Sequence, residues 1–257
     1  MGERLRGLLF DVDGTLADTE RDGHRVAFNR AFARAGLEWH WDVPTYGKLL
    51  EVSGGKERLR HFIDRECADF RPPGGLDPFI AELHASKTEC FRDLVAGGSI
   101  PPRPGVQRLL RQARRAGLQL GIATTTTEAN VRALLDSTLG PEGWGWFDVI
   151  AAGDVVPAKK PAPDIYRLAL RELRLESRQC IAIEDSDNGL AAATAAGLLT
   201  VVTVNGYTRH QEFPGAALVV DQLGEPESGF RVLAGDPAGS TFVDLAVLDR
   251  LLRTLRP

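Results

Sequence analysis

The sequence predicts an α/β fold, with a core built on a parallel sheet and a helical domain inserted near its start. Three observations predict it. Short apolar runs rich in β-branched residues recur along the chain, each ending in a glycine or polar cluster and leading into a segment of helical periodicity. One interval, residues 20–97, breaks that alternation: it holds helical patterns and no buried strand. The composition, 43% hydrophobic and 26% charged over 257 residues, is that of an ordinary soluble globular protein long enough to bury a core without metals or disulfides.

The elements follow in order. Residues 8–10 read as the first strand. "HRVAFNRAFARAG" then places Val26, Phe28, Ala31, Phe32 and Ala35 near one helix face, and "KERLRHFIDRECADF" repeats the pattern. In "EWHWD", Trp39 and Trp41 are expected to pack the helical domain. The exit "AGGSIPPRPG" has the glycine and proline punctuation of a boundary, so the core is expected over residues 1–19 and 98–257 and the helical insertion over 20–97. Beyond it, strands are expected at 118–123, 147–151, 180–183, 199–204 and 217–220. Helices are expected at 106–116 and 130–139, and in "DNGLAAATAAG", which Gly197 stops. "GEPESGFRVLAGDPAGST" reads as a long surface loop, and Phe242, Leu245, Leu248, Leu252 and Leu255 mark a closing amphipathic helix.

Composition also excludes some function classes. A formal charge of -4 argues against a nucleic-acid binder, and no apolar run reaches membrane-spanning length, so neither partner is expected. Cys67, Cys90 and Cys180 are odd in number and widely spaced, which fits reduced thiols and no zinc site. With the first strand starting within a few residues, a cytoplasmic monomer is expected, or a plastid stromal one if a transit peptide was removed.

Ligands of open α/β sheets bind outside the carboxyl ends of the strands, so polar residues there carry functional weight. Four strand ends here are unusual: Asp11, Asp13, Gly14 and Thr15 after the first, Thr124 to Thr127 after the second, Lys159 and Lys160 after the third, Glu184 and Asp185 after the fourth. Each has a plain structural alternative as a turn, a helix cap or solvated surface. Together they describe a phosphoryl-transfer site. Asp11, Asp13, Glu184 and Asp185 supply hard oxygen ligands of the kind Mg²⁺ takes, and carboxylates so crowded repel unless a cation sits among them. A carboxylate nucleophile also needs its repulsion from phosphate neutralised. A metal, the Lys160 ammonium and the hydroxyl and N–H groups near Thr124 would do that.

In order and context, "DVDGTLADT", the "IAT" entering Thr124, "KKPAPDIY" and "IEDSDNG" resemble the four motifs of the haloacid dehalogenase (HAD) superfamily of phosphotransferases. The resemblance spans the whole chain. It implies a Rossmann-like core with an α-helical cap of that superfamily's first class. It implies Asp11 as nucleophile, Asp13 as general acid/base, Thr124 as phosphate contact, Lys160 as charge stabiliser, and Asp185 as a Mg²⁺ ligand with Glu184 beside it. Dehalogenases expel halide without a proton and lack the second acid, so Asp13 disfavours halide release.

Substrate choice then falls mainly to the cap, which closes over the site. Residues 20–97 carry 12 Lys and Arg against 13 Asp and Glu, so anion recognition must come from a few placed residues. "SGGKER" sets two glycines before Lys56 and Arg58, and "LHASKTE" puts His84 and Lys87 on one helix face. A plain glycine-started helix and a plain polar face are the alternatives. Three of the five lysines, Lys56, Lys87 and Lys160, thus fall in candidate anion-contacting segments, which fits a doubly phosphorylated substrate.

These segments, with "ADTE", "EWHWD", "IATTTTEANV" and "ALVVDQLGEP", look most like the CbbY-like branch, phosphatases of the Calvin cycle acting on sugar bisphosphates such as xylulose 1,5-bisphosphate. By that resemblance Glu20, Ser53, Gly54, Gly55, Lys56, Arg58, His84, Lys87, Thr124, Thr125, Thr126 and Asn130 become substrate contacts, while His24 is left without a role. The implied partner is a small phosphorylated sugar. A sugar phosphomutase of the β-phosphoglucomutase kind and a non-catalytic phosphosugar-binding regulator are the alternatives.

Overall fold

β1 (Gly7–Phe10) is an interior strand, third from one edge, of a seven-stranded sheet in a computed structural model that describes residues 4–98 and 100–254. Ser99 of the expected boundary and Leu255 of the expected closing helix lie outside the described residues. The remaining strands are β2 (Gln119–Thr124), β3 (Val149–Ala152), β4 (Cys180–Glu184), β5 (Leu199–Thr203), β6 (Leu218–Val220) and β7 (Val232–Gly235). They are ordered β3-β2-β1-β4-β5-β6-β7, all neighbours parallel except the antiparallel β6 and β7. From β1 the chain winds outward in one direction through β2 and β3, then in the other from β4 onward. That reversal opens a crevice at the carboxyl ends of β1 and β4.

Alternation along β1 explains why its run is wholly apolar. Leu8 and Phe10 enter one buried cluster and Leu9 the other, so the strand is covered on both faces. β7 corrects the expectation of a surface loop. Its four residues are exposed, with Val232 and Leu233 at 38% and 43%, so it is an edge strand with no buried periodicity to reveal it.

Between β1 and β2 lie α1 (Arg25–Arg34), α2 (Val43–Leu49), α3 (Gly55–Glu66) and α4 (Leu76–Ala96), with a π-helical turn, Glu20–His24, leading into α1. The inserted helical cap is therefore present. Its interior is aromatic: Trp41, buried, meets the rings of Phe28, Phe32, Tyr46 and Phe62 at centroid distances of 4.7–5.9 Å, and Trp39 packs alongside. On α1 the buried face is Ala27, Phe28, Ala31 and Phe32. Val26 is only half-buried because it stands two residues, about 200° around the helix, from Phe28, and Ala35 is exposed as the C-cap. The base of the cap is not independent, since Ala27, Cys90, Phe91 and Val95 join the main core cluster.

Around the sheet sit α5 (Val106–Arg115), α6 (Glu128–Leu139), α7 (Asp164–Leu173), α8 (Asp187–Ala195) and α9 (Leu245–Thr254). Phe242 precedes α9 rather than beginning it, and its ring takes the Arg108 guanidinium 4.7 Å from its centroid. None of the three cysteines forms a disulfide.

One buried side chain ties the strand ends together. Arg103 donates to the carbonyls of Gly14, Thr203 (2.9 Å), Val204 (2.6 Å) and Asp221 (2.8 Å), linking the loops after β1, β5 and β6. Arginine suits this place because its planar fork reaches several acceptors at once. Arg103→Ala leaves buried carbonyls unpaired and is expected to destabilise the fold by about 3 kcal/mol, with Arg103→Lys recovering less than half. Urea denaturation checks both, and an unchanged midpoint in Arg103→Ala contradicts the bracing role.

Candidate active site

The parallel pairing of β1 with β4 brings Asp11 beside Glu184 and Asp185, and the Asp11 N–H donates to the Ile183 carbonyl at 3.0 Å. One oxygen from each of the three buried carboxyls falls within 4.8 Å of the others. Into this group the Lys160 ammonium projects, donating to Asp11 Oδ1 and to Glu184 Oε1 at 2.6 Å each. The Tyr166 hydroxyl donates to the same Glu184 oxygen at 2.6 Å. Asp185 Oδ2 accepts from Asn205 Nδ2 at 2.6 Å. A glycine is required at position 14: its φ is +89°, and a Cβ there would meet Asp185 Oδ2 at 2.3 Å and Asn205 Nδ2 at 2.5 Å.

Electrostatics follow from that crowding. Burial pushes the Asp11 carboxyl up to about 8, with Lys160 pulling against it and Glu184 and Asp13 adding to it. Burial, Asp11 and Glu184 drive Asp185 well above the usual carboxylate range. Lys160 is strengthened as an ammonium by Asp11 and Glu184 in spite of its burial. One ammonium does not compensate three buried carboxyls. The donor set is all oxygen and short of positive charge, so it fits a hard divalent cation.

Asp13 faces different partners. Its Oδ1 accepts from the Thr19 hydroxyl at 2.5 Å and meets His24 Nε2 at 2.7 Å. Lys87 Nζ lies 2.8 Å from His24 Nδ1, which fixes the tautomer: the ammonium can only donate, so Nδ1 accepts and Nε2 carries the proton toward Asp13. Burial alone would raise Asp13, but His24, Thr19 and Lys87 outweigh it and hold the carboxyl at about 2. Burial takes Lys87 down to about 8, although Glu20 and Asp13 draw it up.

A cavity of about 390 Å³ lies over the strand ends. Asp11, Asp13, Thr124, Thr125, Lys160 and Asp185 line it from the core side, and Glu20, Ser53 and Arg58 from the cap side. Arg58, buried, donates to the Leu49 carbonyl at 3.1 Å and to the Tyr46 hydroxyl at 2.9 Å, while that hydroxyl donates to Glu20 Oε2 at 2.5 Å. The cap thus holds one cation in place at the mouth.

Other expected contacts stand elsewhere. Lys56 pairs with Asp154 at 2.6 Å outside this cavity, and Lys159 completes the cluster with Asp154 and Glu57 at 2.8 Å each. Gly54 and Gly55 start α3, and Gly55 leaves room for the His84 ring, which burial and then Lys87 hold down at about 3. Asn130 and Thr126 hydrogen-bond each other at 3.4 Å near the start of α6. Glu184 stands behind Asp11, fully buried. Sequence reasoning missed His24, Tyr46 and the loop after β5, where Asn205, Tyr207, Thr208 and His210 also line the cavity. The signal for that loop was "NGYTRHQ" after the fifth strand, a strand end like the other four.

Comparison with known proteins agrees with this geometry. A family model for haloacid dehalogenase-like hydrolases matches residues 5–197. The chain is 49% identical over 222 residues to the plasmid-borne protein CbbY of Cupriavidus necator, covering 86% of this chain and 87% of that one. It is 32% identical to the fructose-1-phosphate phosphatase YqaB of Escherichia coli over 200 residues, 77% of this chain and 96% of the other. A mutant CbbY from Rhodobacter sphaeroides, crystallised with xylulose-(1,5)bisphosphate, superposes with a TM-score of 0.78 at 48% identity, covering 85% and 94% of the two chains. The β-phosphoglucomutase of Clostridium difficile shares the fold, with a TM-score of 0.70 at 21% identity over 85% and 91%. With its sheet, cap and strand-end carboxylates, the chain belongs to the haloacid dehalogenase-like hydrolases and is a phosphatase of that family.

Proposed function

We propose that the protein is a Mg²⁺-dependent phosphatase of a sugar bisphosphate, with xylulose 1,5-bisphosphate as the first candidate, working through a phosphoryl group carried on Asp11. In this reading residues 1–19 and 98–257 carry the chemistry and the cap, residues 20–97, selects the substrate. One observation carries it: the two carboxylates that close β1 are sorted into opposite surroundings. Asp11 faces Lys160 and the Glu184/Asp185 group, whereas Asp13 is hydrogen-bonded to Thr19 and His24. A carboxylate held within a cation-binding group and a second one kept apart from it on hydrogen bonds of its own are what a nucleophile and a proton carrier need.

Asp11 and Asp185, with Glu184 behind them, would hold the cation. Asp13 is assigned to the proton and not to the cation. When bound, Mg²⁺ supplies the positive charge that lets a carboxylate and a phosphate approach. An Asp11 oxygen attacks phosphorus and the P–O bond to the sugar breaks, with Lys160 and the Thr124 hydroxyl facing the equatorial oxygens. The leaving oxygen takes a proton from Asp13. Bound to His24 and Thr19, Asp13 is ionised. Before it can donate, Asp13 must leave those partners and take up a proton from water, in surroundings where burial raises its proton affinity. Water then attacks the phosphoryl group, Asp13 accepts its proton, and the Asp11 carboxylate is restored as phosphate departs.

Of the residues first read as substrate contacts, Glu20, Ser53, Arg58, Thr124 and Thr125 are proposed to touch the sugar phosphate, since they line the cavity. Arg58 is the natural holder of a second phosphate, being the cap's one Lys or Arg among the lining residues. Lys87 is assigned to His24, and Lys56 to the clasp with Asp154.

Three measurements test the reading. Purified protein with Mg²⁺ is expected to release phosphate from xylulose 1,5-bisphosphate ahead of ribulose 1,5-bisphosphate and β-glucose 1-phosphate, and to stop when the cation is chelated; no release from any sugar phosphate overturns the proposal, and isomerised sugar in place of free phosphate indicates a mutase. Asp11→Asn is expected to lose at least about a thousandfold in turnover with its melting temperature preserved. Asp154→Ala, which opens the clasp, is expected to raise KM about threefold at low salt and to shrink the wild-type salt dependence of KM. Lys159 and Lys56 hold Asp154 at about 2, so this contribution is complete above the ordinary carboxylate range and lost only as pH falls toward that value. Across neutral pH the clasp adds no slope to KM.

A further inference from the structure

The loop after β5 joins the cap to the carboxylate group through one side chain. Asn205 Nδ2 donates to Asp185 Oδ2 at 2.6 Å, while its Oδ1 accepts the N–H groups of Tyr207 at 2.8 Å and Thr208 at 3.3 Å. The Thr208 hydroxyl accepts the Asn205 N–H at 3.0 Å, closing the turn from the other side. The amide orientation is forced, since a carboxylate needs a donor and two backbone N–H groups need an acceptor.

Tyr207, which this turn presents, lies on the cap. Its ring stands edge-on to Tyr46 at 6.1 Å, and a Cβ on Gly47 of α2 would approach it at 3.2 Å, so any larger residue there would have to push the ring back. It packs against the aromatic interior of the cap, yet its chain position belongs to the core. Tyr46 in turn holds Glu20 and Arg58 at the mouth of the cavity.

We propose that Asn205 is a positioning residue that couples docking of Tyr207 on the cap to the orientation of Asp185. The inference rests on the reading of Asp185 as a cation ligand. Because the amide is planar, its oxygen and nitrogen ends move together: a turn displaced when the cap lifts carries the donor off Asp185. Gly14, packed against both Asp185 and Asn205, leaves Asp185 little other room. The cation site is complete when the cap is docked and loosened when it is not, so the chemistry is held to the closed state. Ligand-orienting partners of this kind are worth about 10- to 100-fold in metal affinity.

The test is direct binding of Mn²⁺, as a probe for Mg²⁺, to the whole protein by calorimetry, with wild type, Asn205→Ala, Tyr207→Ala and the double variant. Asn205→Ala is expected to weaken binding about 10-fold. Tyr207→Ala touches no carboxylate of the group and leaves the Asn205 side chain in place. It is expected to weaken binding about threefold in the wild-type background and not at all once Asn205 is gone. Thermal melting separates these effects from loss of fold, and Tyr207→Phe, which keeps the ring on Gly47, is expected to bind as wild type does. If the two single effects multiply in the double variant, or if Tyr207→Ala leaves binding unchanged, the coupling is overturned while the cation site stands. If wild type itself binds no Mn²⁺, the reading of the site fails, and the coupling with it.

Discussion

The ammonium of Lys160, 2.6 Å from both Asp11 and Glu184, is the interaction on which the rest of the structure depends. Parallel pairing of β1 with β4 forces acidic residues together at the switch point, out of water and within reach of one another. Charge so concentrated destabilises a fold unless it is paired. Lys160 comes from the loop after β3, two strands away from β1, so the pairing also fixes that loop against the sheet. The same loop carries Asp154 and Lys159, whose ion pairs reach the cap at Lys56 and Glu57. A charge problem at one strand end thus reaches the placement of a helical domain.

A second constraint operates on the cap. Its aromatic interior is its own, but its base is shared with the core and its rim is held by side chains from core loops. The attachments include three of different chemistry: an apolar base, an ionic clasp at Asp154, and the Tyr207 ring against Gly47. Of these three, only the base is deeply buried. Partly exposed ion pairs and a single ring contact are the weak kind of bond that opens without unfolding the domain. Strength is graded from base to rim, and the cavity mouth sits at the weak end.

Most of the fold was legible in the sequence because buried parallel strands are continuous apolar runs closed by polar residues. Leu8, Leu9 and Phe10 announce β1 for that reason. β7 was not legible: its residues are exposed and pair only along one edge, so no burial pattern marks them. The face of α1 was misread at Val26, which stands two residues from Phe28 and so on the other side of the helix. At the site, the polar residues that follow β1 to β4 were singled out by one rule, although the same rule applied to β5 would have reached Asn205 and its neighbours. Those reached through space were not. His24 and Tyr46 sit on cap helices, and nothing in their local sequence says that one will face Asp13 and the other will hold Glu20 and Arg58. Lys56, His84 and Lys87 were placed on the right elements, but spacing along a helix gives a face and not what that face meets.

The position of Lys87 shows how cation supply differs between the two carboxylates of β1. Asp11 receives its positive charge directly, from Lys160. Asp13 receives it at one remove, through the His24 ring, with Lys87 on the far nitrogen. A carboxylate paired directly with a buried ammonium is held in one position, suited to attack along one line. An indirectly supported one keeps a hydrogen bond it can give up, because the imidazole between them can release Asp13 while remaining anchored by Lys87. In the proposed reaction the nucleophile must not move and the proton carrier must. Thr19 and His24 hold Asp13 through hydrogen bonds with Lys87 behind the ring, so letting go costs those hydrogen bonds and leaves His24 anchored.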